Sequence, residues 1–429
     1  MYSQPILWQK LEENKWVGRI IFVITFLLFC LAFRRYILDS TKILTTSQIA
    51  MSDFEAYLYA ARAITLNENL YTYNQQVGVF PYEYPPTLAI LLVPLAYLSP
   101  LAAQRIWLLA NQLLLGGALF LSLNVINQRL SNWKLLLLGC IIFGFYPLYT
   151  NLKLGQVGVI LYFLVALTFW LWHKRRRVLA GLCLGLAGAI KVIPLGLVVY
   201  FLWKREYRVA LYTMLFSLVI QLVPDLVFGT VWLASYIEAF PSFYQIENPL
   251  YFGNQSFYGF FARFFFETMG GVSSRETALI TRVLAFISGA IVFACTIVLS
   301  QRDKKASHTE VEILEIGGIL IAIVLLNPIS WHHHFVWLLF ISPSLIYHLS
   351  EQIRLDSSFR GFTLVILSLV AFALLSQPFR LPRILGYEIS DQGLLATLLK
   401  SLVFYGTLLI WGVVISLLHT FRKQGEIEL

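Results

Sequence analysis

Charge is what this 429-residue chain has least of. Asp, Glu, Lys and Arg make up 13% of it, about half of the roughly 25% usual in soluble domains. With 58% hydrophobic residues and a mean hydropathy of +0.72, no stretch is polar enough to form a soluble domain. Cysteine is nearly as sparse. The four present, Cys30, Cys140, Cys183 and Cys295, all sit inside apolar runs, which excludes a disulfide framework or a thiolate metal site and reads as buried thiols. Internal repeats and low-complexity tracts are absent too, which excludes solenoids and arrays. The net charge of +9 invites a nucleic-acid reading, but its distribution opposes it. The basic residues lie in short clusters between apolar runs: Lys174-Arg175-Arg176-Arg177, Lys204-Arg205 with Arg208, Arg302 with Lys304-Lys305, and Arg422-Lys423. Such clusters mark cytoplasmic loops of a membrane protein.

What is abundant is apolar sequence of spanning length, about 20 residues at 1.5 Å each. The first run covers 17–33 and the last 394–419. Residues 17–33 have the core of a signal peptide, yet no small-x-small cleavage site follows and Arg34-Arg35 end the run. The segment therefore reads as a retained anchor. Lys10, Lys15 and Arg19 hold the N-terminus in the cytoplasm. Further helices are expected at about 103–125, 135–150, 155–172, 207–228, 277–300, 311–327, 331–349, 360–376 and 394–419. The run 178–203 carries basic clusters at both ends and Lys191 and Pro194 in its middle, so it reads as two short helices meeting at an outer-side break. Keeping every basic cluster inside gives about twelve crossings (11–13), with Thr87–Leu98 dipping in without crossing. The expectation is a single all-α polytopic membrane domain over 1–429, with C-terminal helices over 360–419. Its outer loops 34–84 and 229–276 are too long for simple connectors.

Several residues in these outer segments have chemistry to offer. Asp53 opens a breaker-free stretch, where Ser52 or Asp53 could cap a helix or Asp53 could act as a general base at the membrane boundary. Arg62, further along, is either a phosphate contact or a snorkelling side chain. Lys191 lies within an apolar run, where a charge costs at least roughly 3 kcal/mol. It either snorkels to the headgroups or holds a phosphate at the surface. His332-His333-His334 follows Asn327-Pro328-Ile329-Ser330-Trp331. Consecutive helical residues point about 100° apart, so the triplet makes no chelating face, since metal pairs favour i, i+4. It is a polar cap or a hydrogen-bonding site for phosphate or sugar. Asn254-Gln255-Ser256 is formally a glycosylation acceptor, which matters only in a glycosylating compartment. By topology alone, Asp53, Tyr82, Gln156, Lys191, Asn254, Gln255, His333 and His334 gather on one side of the membrane.

The order of motifs resembles the glycosyltransferase 87 family, polyprenyl-phosphate-mannose-dependent transferases of the GT-C fold. The stretches that carry the likeness are DFEAYLYAARAITLNENLY from Asp53 to Tyr71 and FPYEYPPTLAILLVPLAYL from Phe80 to Leu98. They continue with Trp107 to Asn111, Gly155-Gln156, GLCLGLAGAIKVIP from Gly181 to Pro194, Asn254-Gln255-Ser256, and NPISWHHH from Asn327 to His334. They span about two-thirds of the chain. Lys-Val-Ile-Pro departs from an expected Lys-Pro, and His332 precedes the His pair, without altering a proposed functional group.

The resemblance implies a hexosyltransferase that moves a sugar, mannose by the family's default, from a polyprenyl-phosphate donor to a lipid- or glycan-linked acceptor. The reaction would occur on the extracytoplasmic face of a bacterial plasma membrane. Asp53 would be the general base of an inverting reaction. Lys191, with His333, His334 and Arg62, would hold the donor phosphate, and Tyr82, Gln156, Asn254 and Gln255 would line the sugar and acceptor subsites. No Asp-x-Asp pair accompanies Asp53, so no metal or cofactor is expected, and no Gly-rich nucleotide loop is present. The rival classes are a transporter or flippase of a lipid-linked or small polar solute, or a scaffold. Transporters usually carry repeats around a midplane site, whereas here the polar groups fall in outer loops.

Overall fold

The computed structural model describes residues 15–126, 129–246, 250–268, 275–300, 309–355, 359–376, 380–388 and 393–427. Lys10 and the basic cluster of Arg302, Lys304 and Lys305 lie outside them. Among the described residues the chain is helical, and the only extended pairing is an isolated bridge between Asn254 and Trp331. In lipid this is the expected solution, because a helix satisfies its own backbone hydrogen bonds. The helices run α1 Lys15–Thr45, α2 Ser52–Leu66, α3 Tyr73–Gln76, α4 Pro86–Ala96, α5 Pro100–Val125, α6 Asn132–Gly144 and α7 Tyr146–Leu154. Then come α8 Gly158–His173, α9 Arg177–Ile190, a 3-10 turn at Ile193–Gly196, α10 Leu197–Trp203, α11 Tyr207–Phe228, α12 Trp232–Ile246 and α13 Phe257–Thr268. The remainder is α14 Arg275–Leu299, α15 Thr309–Leu326, a 3-10 stretch His332–Ile341, α16 Ser342–Leu355, α17 Phe359–Ser376, α18 Arg380–Ile384, α19 Leu394–Lys400 and α20 Leu402–Ile427.

Five described helices are long and apolar enough to cross a membrane, or six if α6 and α7 form one broken span. The chain is thus a helical membrane protein. Segments such as α4, α8 and α9 are apolar but shorter than a full crossing. The break expected within 178–203 is present: Lys191 is extended (φ −149°, ψ 128°) between α9 and the following turn. Pro194, which lacks an N–H, is tolerated at the start of that turn.

Other segments differ from expectation, each for a local reason. The first helix does not stop at Phe33 but runs to Thr45, because no Gly or Pro interrupts it after Gly18. Its polarity rises before its helicity ends. The expected helix at 135–150 breaks at Phe145 (ψ 110°), since the ring of Pro147 would clash with a helical carbonyl four residues earlier. The helix expected at 331–349 starts as ten residues of 3-10 winding, and that expected at 394–419 breaks at Ser401. Nor are the two long segments expected outside plain loops, because 34–84 contains α2 and α3, and 229–276 contains α12 and α13.

The chain divides into two compact units. One, residues 39–125 and 149–248, packs α9 along α11, α5 along α8, and α2 on α4. The α9–α11 approach depends on Gly181 and Gly185. A Cβ on Gly181 would lie 2.5 Å from Tyr212 Cβ, and one on Gly185 would lie 2.9 Å from the Thr213 carbonyl oxygen. The turns after α8 and α10 each pass through a left-handed arginine, Arg175 and Arg205. They are joined by an ion pair from Arg177 Nε to Glu206 at 2.6 Å. Basic residues suit these positions, since helix C-termini carry partial negative charge.

The other unit, residues 1–38, 126–148 and 249–429, is centred on α15. The α15 side chains from Ile313 to Leu325 are nearly all inaccessible. The helices α14 and α20 and the 3-10 stretch pack around it.

Candidate functional site

Asp53 lies in the first turn of α2, and it does not cap the helix. The N-cap is Met51, and no side-chain cap bond is made. Its carboxylate accepts instead from two side chains. Ser52 Oγ donates to Oδ1 at 3.1 Å, and the Gln156 amide donates to Oδ2. Gln156 Oε1 in turn accepts from the Tyr84 hydroxyl at 2.8 Å. That hydroxyl accepts from Lys191 Nζ at 3.0 Å, and the ammonium lies 4.8 Å from the Tyr84 ring centroid. An unbroken series of hydrogen bonds thus runs from the Lys191 ammonium to the Asp53 carboxylate.

Each member is placed by its own local structure. Gln156 follows Gly155, whose left-handed conformation (φ +72°) ends α7. The turn is closed by Gln156 N to Asn151 O at 2.8 Å, Asn151 Nδ2 to Gln156 O at 3.2 Å, and Trp107 Nε1 to Gly155 O at 2.8 Å. Only glycine lets α2 approach so closely, because a Cβ at 155 would sit 2.5 Å from Phe54 Cβ and 2.9 Å from Met51 Cβ.

Tyr84 belongs to the segment before Pro85-Pro86, and Pro86 opens α4 at a position where its missing N–H costs nothing. Tyr82, fully buried, braces this entry point: its hydroxyl donates to Pro85 O at 2.7 Å and accepts from Ala89 N at 3.1 Å. Tyr71 Oη donates to Tyr84 O at 3.1 Å. The Tyr84 ring packs edge-on to Tyr57 at 5.0 Å. Lys191 is held at its break by Gln221, which donates to Ala189 O at 3.0 Å and accepts from Thr87 Oγ1 at 2.9 Å.

Electrostatics follow from burial. Burial pushes the Asp53 carboxyl above its ordinary range, against the opposing pull of hydrogen bonds from Gln156 and Ser52 and the charge on Lys191. Glu83, between Tyr82 and Tyr84, is pushed up to about 7, mainly by burial. Lys191 lowers it and the Asp53 charge raises it. Two carboxyl groups therefore share one cation, and the second changes protonation near neutral pH.

Of the residues singled out by sequence, the structure brings Asp53, Gln156 and Lys191 together, with Tyr82 bracing the segment beside them. Arg62 lies further along α2. Its guanidinium donates to Ala96 O and Leu98 O, at the end of α4, and stacks on Tyr59 at 4.9 Å. Asn254, Gln255, His333 and His334 lie in the other unit. There Asn254 Oδ1 accepts from Ser256 Oγ at 2.8 Å and Ser330 N at 3.1 Å, and its amide donates to Pro328 O at 2.9 Å. Gln255 N donates to Ser330 O at 2.8 Å, its side-chain amide to Lys400 O at 2.8 Å, and its Oε1 accepts from Phe404 N at 2.9 Å. These bonds clamp the Asn254 motif onto the Asn327–Trp331 turn that launches the histidines. The rings of His333 and His334 stand perpendicular at 4.6 Å, both buried.

Sequence reasoning missed Tyr84, Glu83 and Arg263. Arg263, almost wholly buried, donates to Asn254 O at 2.7 Å, Tyr251 O at 3.1 Å and Ser401 Oγ at 3.0 Å. A charged residue flanked by tyrosines just before Pro-Pro was the available signal for the first two. The signal for Arg263 was a lone charge in the aromatic run of α13.

Residues 82–328 match the sequence model of Glycosyltransferase family 87, more than half of the chain. The chain belongs to glycosyltransferase family 87. It is therefore a glycosyltransferase, and the matched span includes Tyr82, Glu83, Tyr84, Gln156, Lys191, Asn254 and Gln255. Among relatives of this family-87 chain is a polyprenol-phosphate-mannose-dependent alpha-(1-2)-phosphatidylinositol mannoside mannosyltransferase of Mycolicibacterium smegmatis. It is 28% identical over 318 residues, 67% of this chain and 68% of the relative. A polyprenol-phosphate-mannose-dependent alpha-(1-2)-phosphatidylinositol pentamannoside mannosyltransferase of Mycobacterium tuberculosis is 27% identical over 298 residues. That match covers 67% of this chain and 64% of the relative's own length. No solved structure matches the chain.

Proposed function

We propose that this family-87 enzyme transfers a hexose, by preference mannose, from a polyprenyl-phosphate donor to a lipid- or glycan-linked acceptor. Transfer occurs on the extracytoplasmic face with inversion and without a metal ion. The observation that carries the reading is the half-buried Asp53 carboxylate tied through Gln156 and Tyr84 to the Lys191 ammonium. In one step the acceptor oxygen bonds to the sugar carbon and its proton passes to Asp53. The bond from that carbon to the phosphate oxygen breaks, and its electron pair leaves with polyprenyl phosphate. Charge grows on the leaving phosphate, where a fixed cation lowers the barrier, and Lys191 fills that role. We assign Arg62 a further phosphate contact, and give His333 and His334, in the other unit, a hydrogen-bonding role toward phosphate or sugar. Tyr82 and Gln156 go to the wall of a sugar or acceptor subsite, and Asn254 and Gln255 shape the polar turn of their own unit; the polar atoms of all four already serve protein partners, which favours shaping over direct contact. A GT-C-type arrangement of about twelve crossings with a cytoplasmic N-terminus fits the basic clusters. The relatives' names support both the mannose donor and a phosphatidylinositol mannoside as a first acceptor to try.

The test is incubation of purified protein in lipid with polyprenyl-phosphate mannose, glucose and galactose and a phosphatidylinositol mannoside. Mannose transfer with inverted configuration is expected. Movement of the donor across the bilayer without any transfer would instead support a flippase and end this reading.

A further inference from the structure

The hydrogen bonds between Lys191 and Asp53 have a direction that chemistry dictates. An ammonium has donors only, so the Tyr84 oxygen must accept from it. The single Tyr84 proton is then aimed at the Gln156 carbonyl oxygen, 2.8 Å away. With that oxygen occupied, the Gln156 amide presents N–H to Asp53, which settles an orientation that geometry alone leaves open. Every donor points from the cation toward the anion, and such aligned bonds polarise one another. From this polarity we infer that Tyr84 and Gln156 are positioning residues for the proposed transfer, forming a bridge that orients Asp53 and keeps it in its proton-accepting form.

The inference rests on Asp53 being the base, and it gives Gln156 a role different from a sugar contact. The bridge takes one lone pair of Oδ2 and Ser52 one of Oδ1, so each carboxylate oxygen keeps a second lone pair able to receive a proton. Without the bridge, burial acts on Asp53 with less opposition. The charged and titratable groups that share its surroundings are Lys191, Glu83, Tyr57 and Tyr84, with Glu55 on its own helix. Tyr84 also serves Lys191 through its ring, and that contact survives loss of the hydroxyl.

The probing variant is Tyr84→Phe, which keeps the ring against Tyr57 and Lys191 and removes only the oxygen. Losing the bond should lower kcat about tenfold. It should also move the acidic limb of the kcat/KM–pH profile upward, because an Asp53 with weaker anion support protonates at higher pH. Gln156→Met, which keeps length without polar atoms, should give the same upward shift. Tyr71→Phe removes a nearby bond to the Tyr84 carbonyl and should lower thermal stability while leaving the limb in place. Because Glu83 titrates near neutrality, the profile is repeated in Glu83→Gln, where the upward shift should persist. If Tyr84→Phe and Gln156→Met lose rate with an unmoved limb, or the shift vanishes in Glu83→Gln, the bridge is overturned. The base assignment is judged separately by Asp53→Asn. An inactive Asp53→Asn beside an unshifted Tyr84→Phe sinks the bridge alone, and an active Asp53→Asn sinks the base assignment.

Discussion

Replacing Gly155 by Ala should be among the most damaging single-methyl additions in the chain. The cost has two sources. Holding a non-glycine residue at φ +72° costs about 1–2 kcal/mol. Crowding adds more, because the new Cβ would lie 2.5 Å from Phe54 Cβ and 2.9 Å from Met51 Cβ. Both neighbours are stem atoms close to the backbone of α2, so a rotamer change cannot relieve the contact and the helix itself must shift, at about 1–3 kcal/mol. The sum is about 2–5 kcal/mol. The shift would also part Gln156 from Asp53, and a misplacement of about 1 Å can cost roughly a hundredfold in rate. Thermal unfolding of the protein in nanodiscs reads the first effect, and initial rate of sugar transfer reads the second. Gly155→Asn separates the two sources, since Asn tolerates the left-handed backbone but keeps the Cβ. It should recover part of the stability and little of the rate. An Ala variant with wild-type stability and turnover would refute the claim that this glycine sets the approach of α2.

Lys191→Gln should lower kcat/KM for the polyprenyl-phosphate donor roughly ten- to a hundredfold, the value of a charge-assisted hydrogen bond, while Lys191→Arg keeps part of it. A change of under about twofold in donor titrations would remove Lys191 from the phosphate site. Glu83 is held near 7, above its ordinary 4.5. The stability linked to its protonation is therefore complete below about 4.5 and lost as pH rises through about 7. Glu83→Gln should unfold at higher temperature than wild type above pH 7, and a larger gap in acid would reverse the assigned sign. Cysteine placed at exposed Arg175 should label from the cytoplasm and at exposed Tyr251 from outside. The opposite pattern would invert the proposed orientation.

The break at Lys191 was legible because three independent signals coincide there: a charge in an apolar run, a nearby proline, and basic clusters at both ends. The helices inside 34–84 and 229–276 were harder to see. Membrane-length reasoning detects apolar stretches, and amphipathic pieces such as α2 and α13 fall below it. Within the site, Lys191 stands out as a charge in an apolar run, Asp53 as a carboxylate opening a breaker-free stretch, and Gln156 through the Gly155-Gln156 pair. The choice between Tyr82 and Tyr84 does not stand out. Adjacent tyrosines two apart in an extended segment share a side, and which one reaches Gln156 depends on a tertiary contact spanning 72 positions. Asn254 and Gln255 illustrate another hidden layer. Buried polar groups are nearly always satisfied, and their partners here include backbone atoms of Pro328, Lys400 and Phe404, far away in sequence. No local pattern encodes those pairings.

The most direct measurement is single-turnover sugar transfer by Asp53→Asn, in lipid, with saturating donor and acceptor. Asn keeps the shape and an oxygen able to accept from Gln156, but it cannot take a proton. Wild-type folding and donor binding are expected, with transfer reduced by roughly a hundred- to ten-thousandfold, the usual contribution of a positioned base. Transfer near the wild-type rate would contradict the base assignment.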